Sequence, residues 1–584
     1  MVSTPSKAMN KNKIVRVDMD SGNLDVNDYP EQWKLLGGRA LLSRILLEEC
    51  KPDCDPLGSD NLLVIAPGAL AGSNAPTSGR LSIGCKSPLT GGIKEANVGG
   101  EPGQDLMKLG IRAIVVSGSM TDNSRWGLVV DANGIRLVEA NDYRNMWTYA
   151  CCEKLFAEFS ETASAIVIGP AGELQMSSAS IACTDRSKGR HPARHAARGG
   201  VGAVMGAKGL KWILVDAGKA ALRQAAEPKA YNDYKKEFSR EYLTSGRHDP
   251  FKLGTSSLVP TANMLHAFPY KNRTSGRNPE WEKLDGARIV ESFKERGGAM
   301  HNCLTGCIVR CSNVVHDREG NYLTSALEFE TLTLMGSNCA INDWEEVAEL
   351  DRLCDEVGID TIETGAALAV YMDSGGMPWG DAEEVKRIIR EEIAIGTEMG
   401  LLIGNGALSI GTARGHHRIP HCKGQAIPAF DPRPFQATGI TYCTSAQGAD
   451  HTAGLVFDQD LNEEEAARAS QELQIINAVV DSSGFCTFLG PTLEETARFY
   501  TTFYGENISA EILADLGWRC LLDEWQFNEA AGFTTVDDDL PDCCRKEGVG
   551  PDNEMKFTVS AAAIAMAKTR QTPREKLYKT SPAG

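Results

Sequence analysis

The sequence predicts an α+β multidomain protein: a β-rich N-terminal domain that would serve as a base, followed by two mostly helical domains. Three observations predict it. The chain has 584 residues, 42% of them hydrophobic, which at roughly 100–200 residues per domain supplies several cores. Before residue 217 the apolar runs are short, β-branched and punctuated by glycine. After about residue 222 the apolar positions recur at intervals of three and four, the period of a helix with one buried face.

Taken in order, residues 61–66 (NLLVIA), 113–118 (AIVVSG), 126–131 (WGLVVD), 165–169 (AIVIG) and 212–216 (WILVD) read as strands bounded by turn formers. Residues 343–354 (DWEEVAELDRLC) and 462–480 (NEEEAARASQELQIINAVV) read as amphipathic helices, the second stopped by Gly484. Residues 411–434 carry Pro, His and Gly without helical period and read as a seam. The expected domains are therefore 1–217, 218–425 and 426–584. No internal repeat is apparent.

Composition excludes several classes. With 60 basic against 78 acidic side chains the net charge is -18, which opposes nucleic acid as a partner, because phosphate binding draws on clustered Lys and Arg. No run of about 18 uncharged apolar residues exists, so no membrane span is expected. The first 22 residues have charges but no apolar core, so a cytoplasmic protein without a secretory signal is expected. Seventeen cysteines in so long a chain are too sparse for a disulfide scaffold and suit reduced thiols or metal ligands.

The strongest chemical signal is residues 301–311, HNCLTGCIVRC, where Cys303, Cys307 and Cys311 form a C-x3-C-x3-C array. Three thiols bunched this closely suit an iron–sulfur cluster or zinc, both of which take four ligands. The competing structure is a helix burying all three on one face, which Gly306 and the Gly297-Gly298 pair disfavour. Cys486, in the turn after a long helix, is the leading fourth thiol; Cys339, Cys354 and Cys443 compete with it. Two glycine-rich stretches, 66–100 and 197–208, let backbone N–H groups approach an anion. Arg80, Lys86, Lys94, Arg198 and Lys208 would complement a phosphate there. Neither stretch has a Walker or dinucleotide pattern.

Together these pieces resemble the tungsten- or molybdenum-containing aldehyde:ferredoxin oxidoreductase family. The resemblance rests on PTSGRLSIGCKSPLTGGIKEANVGG from Pro76, ARGGVGAVMGAKGLK from Ala197, the cysteine array, GSNCAI from Gly336, GIDT from Gly358, ADHTAG from Ala449, DSSGFC from Asp481 and FNEAAGFTTVDDDLP from Phe527. They stand in family order along nearly the whole chain. The first cysteine spacer departs from the archaeal pattern by one extra residue.

The resemblance implies a tungsten (or molybdenum) bis-pterin (molybdopterin) centre beside one 4Fe-4S cluster, with magnesium bridging the pterin phosphates. It implies Cys303, Cys307, Cys311 and Cys486 as cluster ligands. Asp360 with Thr361, and Asp481, would hold the pterins, since a carboxylate can accept paired N–H bonds from them. Arg80, Asn97, Gly99, Gly100, Arg198 and Gly199 would surround the phosphates, with Asn97 at the magnesium. For catalysis it implies His451 and one of Glu328 and Glu330, acid–base groups suited to working pH. The implied activity oxidises a small-molecule aldehyde to a carboxylic acid and passes electrons to a ferredoxin or ferredoxin-like subunit, in a homodimer or a heteromeric complex. Two alternatives are the catalytic subunit of a larger reductase complex, similar to the tungsten subunit of aromatic acyl-CoA reductases, and a pterin-free iron–sulfur electron-transfer protein. Cys339 reads as a buried thiol, with direct ligation of the metal as its alternative.

Overall fold

The computed structural model describes residues 12–120, 124–186 and 189–570. Residues 1–11, half of the stretch read above for a leader, lie outside them. The first part holds two six-stranded sheets. One consists of β1 (Lys13–Asp18), β2 (Asn23–Asp28), β3 (Leu63–Pro67), β4 (Leu81–Lys86), β5 (Ile93–Val98) and β6 (Ile111–Ser117), in the order β2-β1-β6-β3-β4-β5. The other consists of β7 (Trp126–Asp131), β8 (Gly134–Glu139), β9 (Ser164–Val167), β10 (Ile181–Cys183), β11 (Arg194–Ala196) and β12 (Leu210–Asp216), in the order β11-β10-β9-β12-β7-β8.

The second order is the first read from its other edge, so the chain builds one unit twice. In each unit a hairpin leads through a short turn of helix (Glu31–Trp33; Asn141–Tyr143) into a longer helix (Gly38–Glu49; Thr148–Glu158). Three antiparallel strands follow, then a short helix (Pro102–Lys108; Val201–Ala207), then a last strand parallel to the first. This corrects the expectation of no internal repeat. Its trace in the sequence is slight: Asn27-Asp28-Tyr29 with Trp33 in one unit, Asn141-Asp142-Tyr143 with Trp147 in the other. Glycine pairs (Gly99-Gly100; Gly199-Gly200) and a Gly-apolar-basic start to the last strand (Gly110-Ile111-Arg112; Gly209-Leu210-Lys211) also recur; the remaining strands share apolar character, which any buried strand has.

The sheets pack face to face. Val15, Val17, Ile65 and Ile83 of the first share one core with Leu128, Ile166, Ile181 and Ile213 of the second. Each such fully buried side chain stabilises the fold by about 1.5–3 kcal/mol relative to exposure. All five expected strands are present with ends shifted by a few residues.

The rest is mostly helical. Helix Trp344–Val357 starts at Asp343, whose carboxylate accepts from Glu345 N, and ends at Gly358 with φ +76. Helix Glu463–Ser483 starts in a reciprocal cap between Asn462 and Glu465 and stops at Gly484, φ +86, a left-handed turn suited to glycine. Of the expected seam, residues 411–413 instead finish helix Ala407–Ala413, and a two-strand hairpin (His421–Cys422, Gln425–Ala426) follows. One element was unforeseen: a three-stranded sheet of Ala299–His301, Ser312–His316 and Tyr322–Ser325. The cysteine array lies inside it. No helix among the described residues is long and apolar enough to cross a membrane.

The C-terminal helices close over the first unit. Leu41, Leu42 and Ile45 of helix Gly38–Glu49 share a core with Ile475 and Val479, with Phe499 and Tyr500, and with Leu304 and Val309 of the cysteine loop. This brings residues 481–486, 77–101 and 303–311 to one place.

Candidate metal and cofactor site

His301 pairs with Ser312 across the new sheet, so residues 302–311 form a loop closed at its base and not a helix. That removes the one-faced helix as an explanation of the cysteine spacing. The loop is docked on the first unit by backbone bonds: Gly100 N donates to Cys303 O (3.1 Å), Thr77 N to Gly306 O (3.0 Å), and Cys486 N to Thr77 O (3.2 Å). Thr77 adds its hydroxyl, accepting from Ile308 N at 3.0 Å, and Glu101 accepts from Thr305 N at 2.8 Å. Thr77 therefore ties the three-cysteine loop to Cys486, more than 170 residues away.

The four thiols also interact. A hydrogen bond from Cys307, opposed by burial and helped by Arg194 and Arg80, draws Cys303 down to about 6; Cys307 is correspondingly raised. Burial raises Cys311 and Cys486, and each feels Cys303. Arg80 Nη1 lies 3.9 Å from Cys486 Sγ. The described residues contain no group of three or more metal-binding side chains drawn around a single ion. A four-iron cluster spreads its thiolates around several metals, so a wider set meets its demand, whereas a single zinc would need them closer. A Cβ built on Gly99 would stand 3.4 Å from Cys303 Sγ, in van der Waals contact, which places this glycine directly against the first thiol.

Beyond Arg80 lies a buried charged region. Arg80 donates through Nε to Asn97 Oδ1 and through Nη2 to Asn97 O (3.3 Å), so the amide oxygen of Asn97 is engaged by the guanidinium. Asp481, in the last turn of helix Glu463–Ser483, faces Arg39 Nη1 at 3.5 Å. Burial, and then the nearby Glu95, push its carboxyl up to about 8 despite Arg39 and Arg80. On the other side, Arg198 Nε stands 3.2 Å from Asp360 Oδ2, and Nη2 donates to Ala426 O at 2.7 Å. Asp360 also caps helix Thr361–Asp373, accepting from Ile362 N and Glu363 N, while Thr361 Oγ1 is 2.9 Å from Thr331 Oγ1. Gly199 and Gly200, both with positive φ, stand before helix Val201–Ala207, as Gly99 and Gly100 stand before Pro102–Lys108 in the first unit.

Two orphaned donors test whether this region suits a cofactor. Arg198 is 5% exposed, yet its Nη1 has no hydrogen-bond partner and its Nε meets Asp360 without hydrogen-bond geometry. His451 Nδ1 is likewise buried and unpaired. A buried guanidinium with unused donors is costly unless an anion completes it, so the residues fit a phosphate-bearing group.

The structure separates the two candidate glutamates. Glu328 lies against the cysteine loop: Thr255 Oγ1 donates to its carboxylate, burial raises its pKa, and its charge acts on Cys303 and Cys311. Glu330 accepts from Ala429 N at 2.7 Å and acts on Arg198 and Tyr442. His451 borders that second group through Asp450, whose Oδ1 is 3.8 Å from Nδ1. Asp450 is buried but held well below the usual carboxylate range by Lys94, which donates to it.

Some sequence candidates point elsewhere. Lys86 Nζ donates to Pro52 O (2.6 Å) and Cys54 O, and Lys208 Nζ to Gly118 O (3.0 Å). Neither serves the charged region, and Lys94 is neutralised by Asp450. Cys339 Sγ donates to Leu334 O and Gly365 O, both at 3.3 Å, and burial raises its thiol: a packed, satisfied side chain. Sequence reading missed Arg39 with Glu524, Thr77 and Asp450. Asp450 adjoins a named histidine, but nothing local marks Arg39, whose partner is 485 residues distant.

The family models settle the relationship. The model described as "Aldehyde ferredoxin oxidoreductase, N-terminal domain" matches residues 14–217, and "Aldehyde ferredoxin oxidoreductase, domains 2 & 3" matches residues 229–568. The chain belongs to the aldehyde ferredoxin oxidoreductase family. It is 31% identical to the "Tungsten-containing aldehyde ferredoxin oxidoreductase" of Pyrococcus furiosus over 91% of each chain. It is 27% identical to the "Aliphatic sulfonate oxidoreductase, WOR-like subunit" of the same organism, over 87% of this chain and 84% of that one. Among solved structures, "Active site complex BamBC of Benzoyl Coenzyme A reductase in complex with 1,5 Dienoyl-CoA" superposes with a TM-score of 0.78 at 18% identity, covering 91% of this chain and 90% of that one. That last likeness shows the aldehyde ferredoxin oxidoreductase fold. The expected α+β architecture, with a β-rich first domain and a mostly helical remainder, is the one found. As a family member the chain is an oxidoreductase.

Proposed function

We propose that this chain oxidises aldehydes to carboxylic acids at a tungsten (or molybdenum) bis-pterin, with electrons leaving through a 4Fe-4S cluster to a ferredoxin-like acceptor. The observation that carries the reading is the position of Arg80, between Cys486 on one side and Asn97 on the other. One guanidinium thereby joins the cysteine group to the pterin-type region. In this reading Cys303, Cys307, Cys311 and Cys486 hold the cluster. Arg198, with its unused Nη1, would meet a pterin phosphate beside Gly199; Arg80, Gly99 and Gly100 would border the other cofactor, and Asn97 would serve the magnesium once its amide oxygen is released from Arg80. Asp360 with Thr361, and Asp481, hold the pterin rings.

The bound metal and cluster supply the electron chemistry: RCHO and H2O become RCOOH, two protons and two electrons. The chain's own residues handle the protons. His451, with Nδ1 unpaired, is placed to hydrogen-bond the substrate carbonyl oxygen or take a proton from water. Glu330, on the same Arg198 side, is the better placed of the two glutamates to be its acid–base partner. Glu328, against the thiols, adds negative charge beside the cluster.

The test is direct. Purified protein should contain tungsten or molybdenum, iron and extractable pterin, and should reduce a viologen dye with an aldehyde. Iron without pterin would leave only the electron-transfer reading. A second reading, the catalytic subunit of a larger reductase complex, draws support from the relative whose name calls it a subunit. It predicts co-purifying partner chains and turnover of an aromatic thioester in place of aldehydes.

A further inference from the structure

Where the cysteine loop meets the surface, it is rimmed by side chains that the proposed chemistry does not use. Gly306 and Arg310 of the loop are exposed, and Cys303 is half-buried, whereas the Arg198 side is enclosed. Residues 247–253 lie against the loop: His248 Nε2 is 2.6 Å from Val309 O, and a side chain at Gly254 would meet Cys311 O. Phe488, two residues after Cys486, packs at a tilt against Phe251 with ring centroids 4.9 Å apart. Phe488 and the neighbouring Leu253 are 38% and 39% exposed, which places two large apolar side chains in water beside the thiols.

The charge around them runs against the molecule as a whole. In a chain of net charge -18, the exposed heads at this rim include Arg310, Arg186 and Lys252, the latter two with side chains 56% and 59% exposed. Their acidic neighbours are mostly turned inward. Glu101, near Arg186, is 7% exposed, and Glu495, held by Arg247, is 19% exposed; Asp249, ion-paired with Lys252 at 2.5 Å, and Glu494 face out, so Arg310 and Arg186 carry most of the outward positive charge. An apolar centre with a cationic rim is the footprint of a small, transient interface with an acidic partner. Such interfaces bury little area, as electron-transfer encounters do.

We propose that this face, formed by Arg186, Lys252, Leu253, Arg310 and Phe488, is the docking site for an acidic iron–sulfur electron carrier. The proposal rests on the reading that the four cysteines hold a cluster. A carrier seated here would approach the cluster on the side where the least protein covers it. The cations would steer the encounter, and Phe488 and Leu253 would exclude water from the contact.

The experiment uses holoenzyme and the variants Lys252→Glu/Arg310→Glu and Phe488→Gln, none of which alters a thiol. Aldehyde-driven reduction is measured with an acidic ferredoxin and with a viologen dye, and ferredoxin affinity is measured separately by surface immobilisation. Expected is a fall of about tenfold in ferredoxin kcat/KM and affinity for the charge-reversed variant, with a flatter dependence on ionic strength. Dye reduction, iron content and the melting profile should be unchanged. Wild-type-like ferredoxin binding and turnover in both variants would overturn the proposal. So would sedimentation showing this face buried in a stable dimer. Absence of iron or of dye reduction in the parent enzyme would instead strike the proposed function, while the affinity measurement still judges the surface.

Discussion

Replacing Glu524 by Gln removes one charge from a buried group that joins three distant helices, with a cost that follows from its geometry. Arg39, on helix Gly38–Glu49, is 1% exposed and donates to Glu524 through Nε at 2.7 Å and Nη2 at 2.8 Å. Glu524 also accepts from Ser43 Oγ and Gln447 Nε2, and Asp481 is 3.5 Å from Arg39 Nη1. In Glu524→Gln the guanidinium keeps one neutral acceptor oxygen and that longer contact. Two charge-assisted bonds are weakened, each of about 1.5–3 kcal/mol, and a buried cation losing its partner costs about 3–5 kcal/mol in all. With an unfolding entropy of about 2.1 cal/mol/K per residue, a whole-chain transition would shift by roughly 2–4 °C. The assay is the thermal midpoint at one fixed scan rate, because many large chains unfold irreversibly, for Arg39→Met, Glu524→Gln and the double variant. Each single should lower the midpoint by that amount, and the double should lose less than their sum, because no unpaired charge remains beside the pair. Additive losses, or singles indistinguishable from the parent, would refute the reasoning.

Other expectations follow from the same geometry. Gly199→Ala places a Cβ 2.5 Å from Lys94 Cγ at a backbone φ of +78; the strained turn alone costs about 1–2 kcal/mol, and the displaced Lys94 should lower metal and pterin content, measured by elemental analysis. Asp481 titrates near 8 when folded against 3.8 when free, so between about pH 4 and 8 the folded state holds a proton that the unfolded state has released. Its contribution to stability is complete below pH 4 and is lost as pH rises toward 8; denaturation across that range should show Asp481→Asn with a flatter profile. Cys486→Ser should remove most of the iron while leaving far-ultraviolet circular dichroism intact, and full iron retention would remove Cys486 as a ligand. His451→Ala should lower dye-linked turnover by about 100-fold or more at full metal load, and unchanged turnover would end its proposed role.

Much of the fold was legible because its signals are local. A helix such as Glu463–Ser483 announces its start at Asn462 and its stop at Gly484 within its own residues, and a buried strand such as β12 is a run of apolar side chains. The doubled unit was not legible, because β4 and β10 need only be buried to pair with β3 and β9, and burial does not preserve identity. The cysteine spacing marked a candidate ligand set but not its shape. Pairing of His301 with Ser312 makes it a loop, and that depends on a sheet formed with residues beyond the motif.

The candidate site divides in the same way. Sequence determined which residue types are present: three close thiols, glycines before two short helices, and carboxylates beside helix ends. Tertiary structure decided which of them meet. It sent Lys86 and Lys208 to backbone carbonyls, set Lys94 on Asp450, and divided Glu328 from Glu330 between two sides of the site. Those outcomes depend on where a buried charge finds a partner. That partner lies from 32 residues away, for Lys86, to 356, for Lys94, and for Lys94 in a place that exists only after the helices have closed over the first sheet.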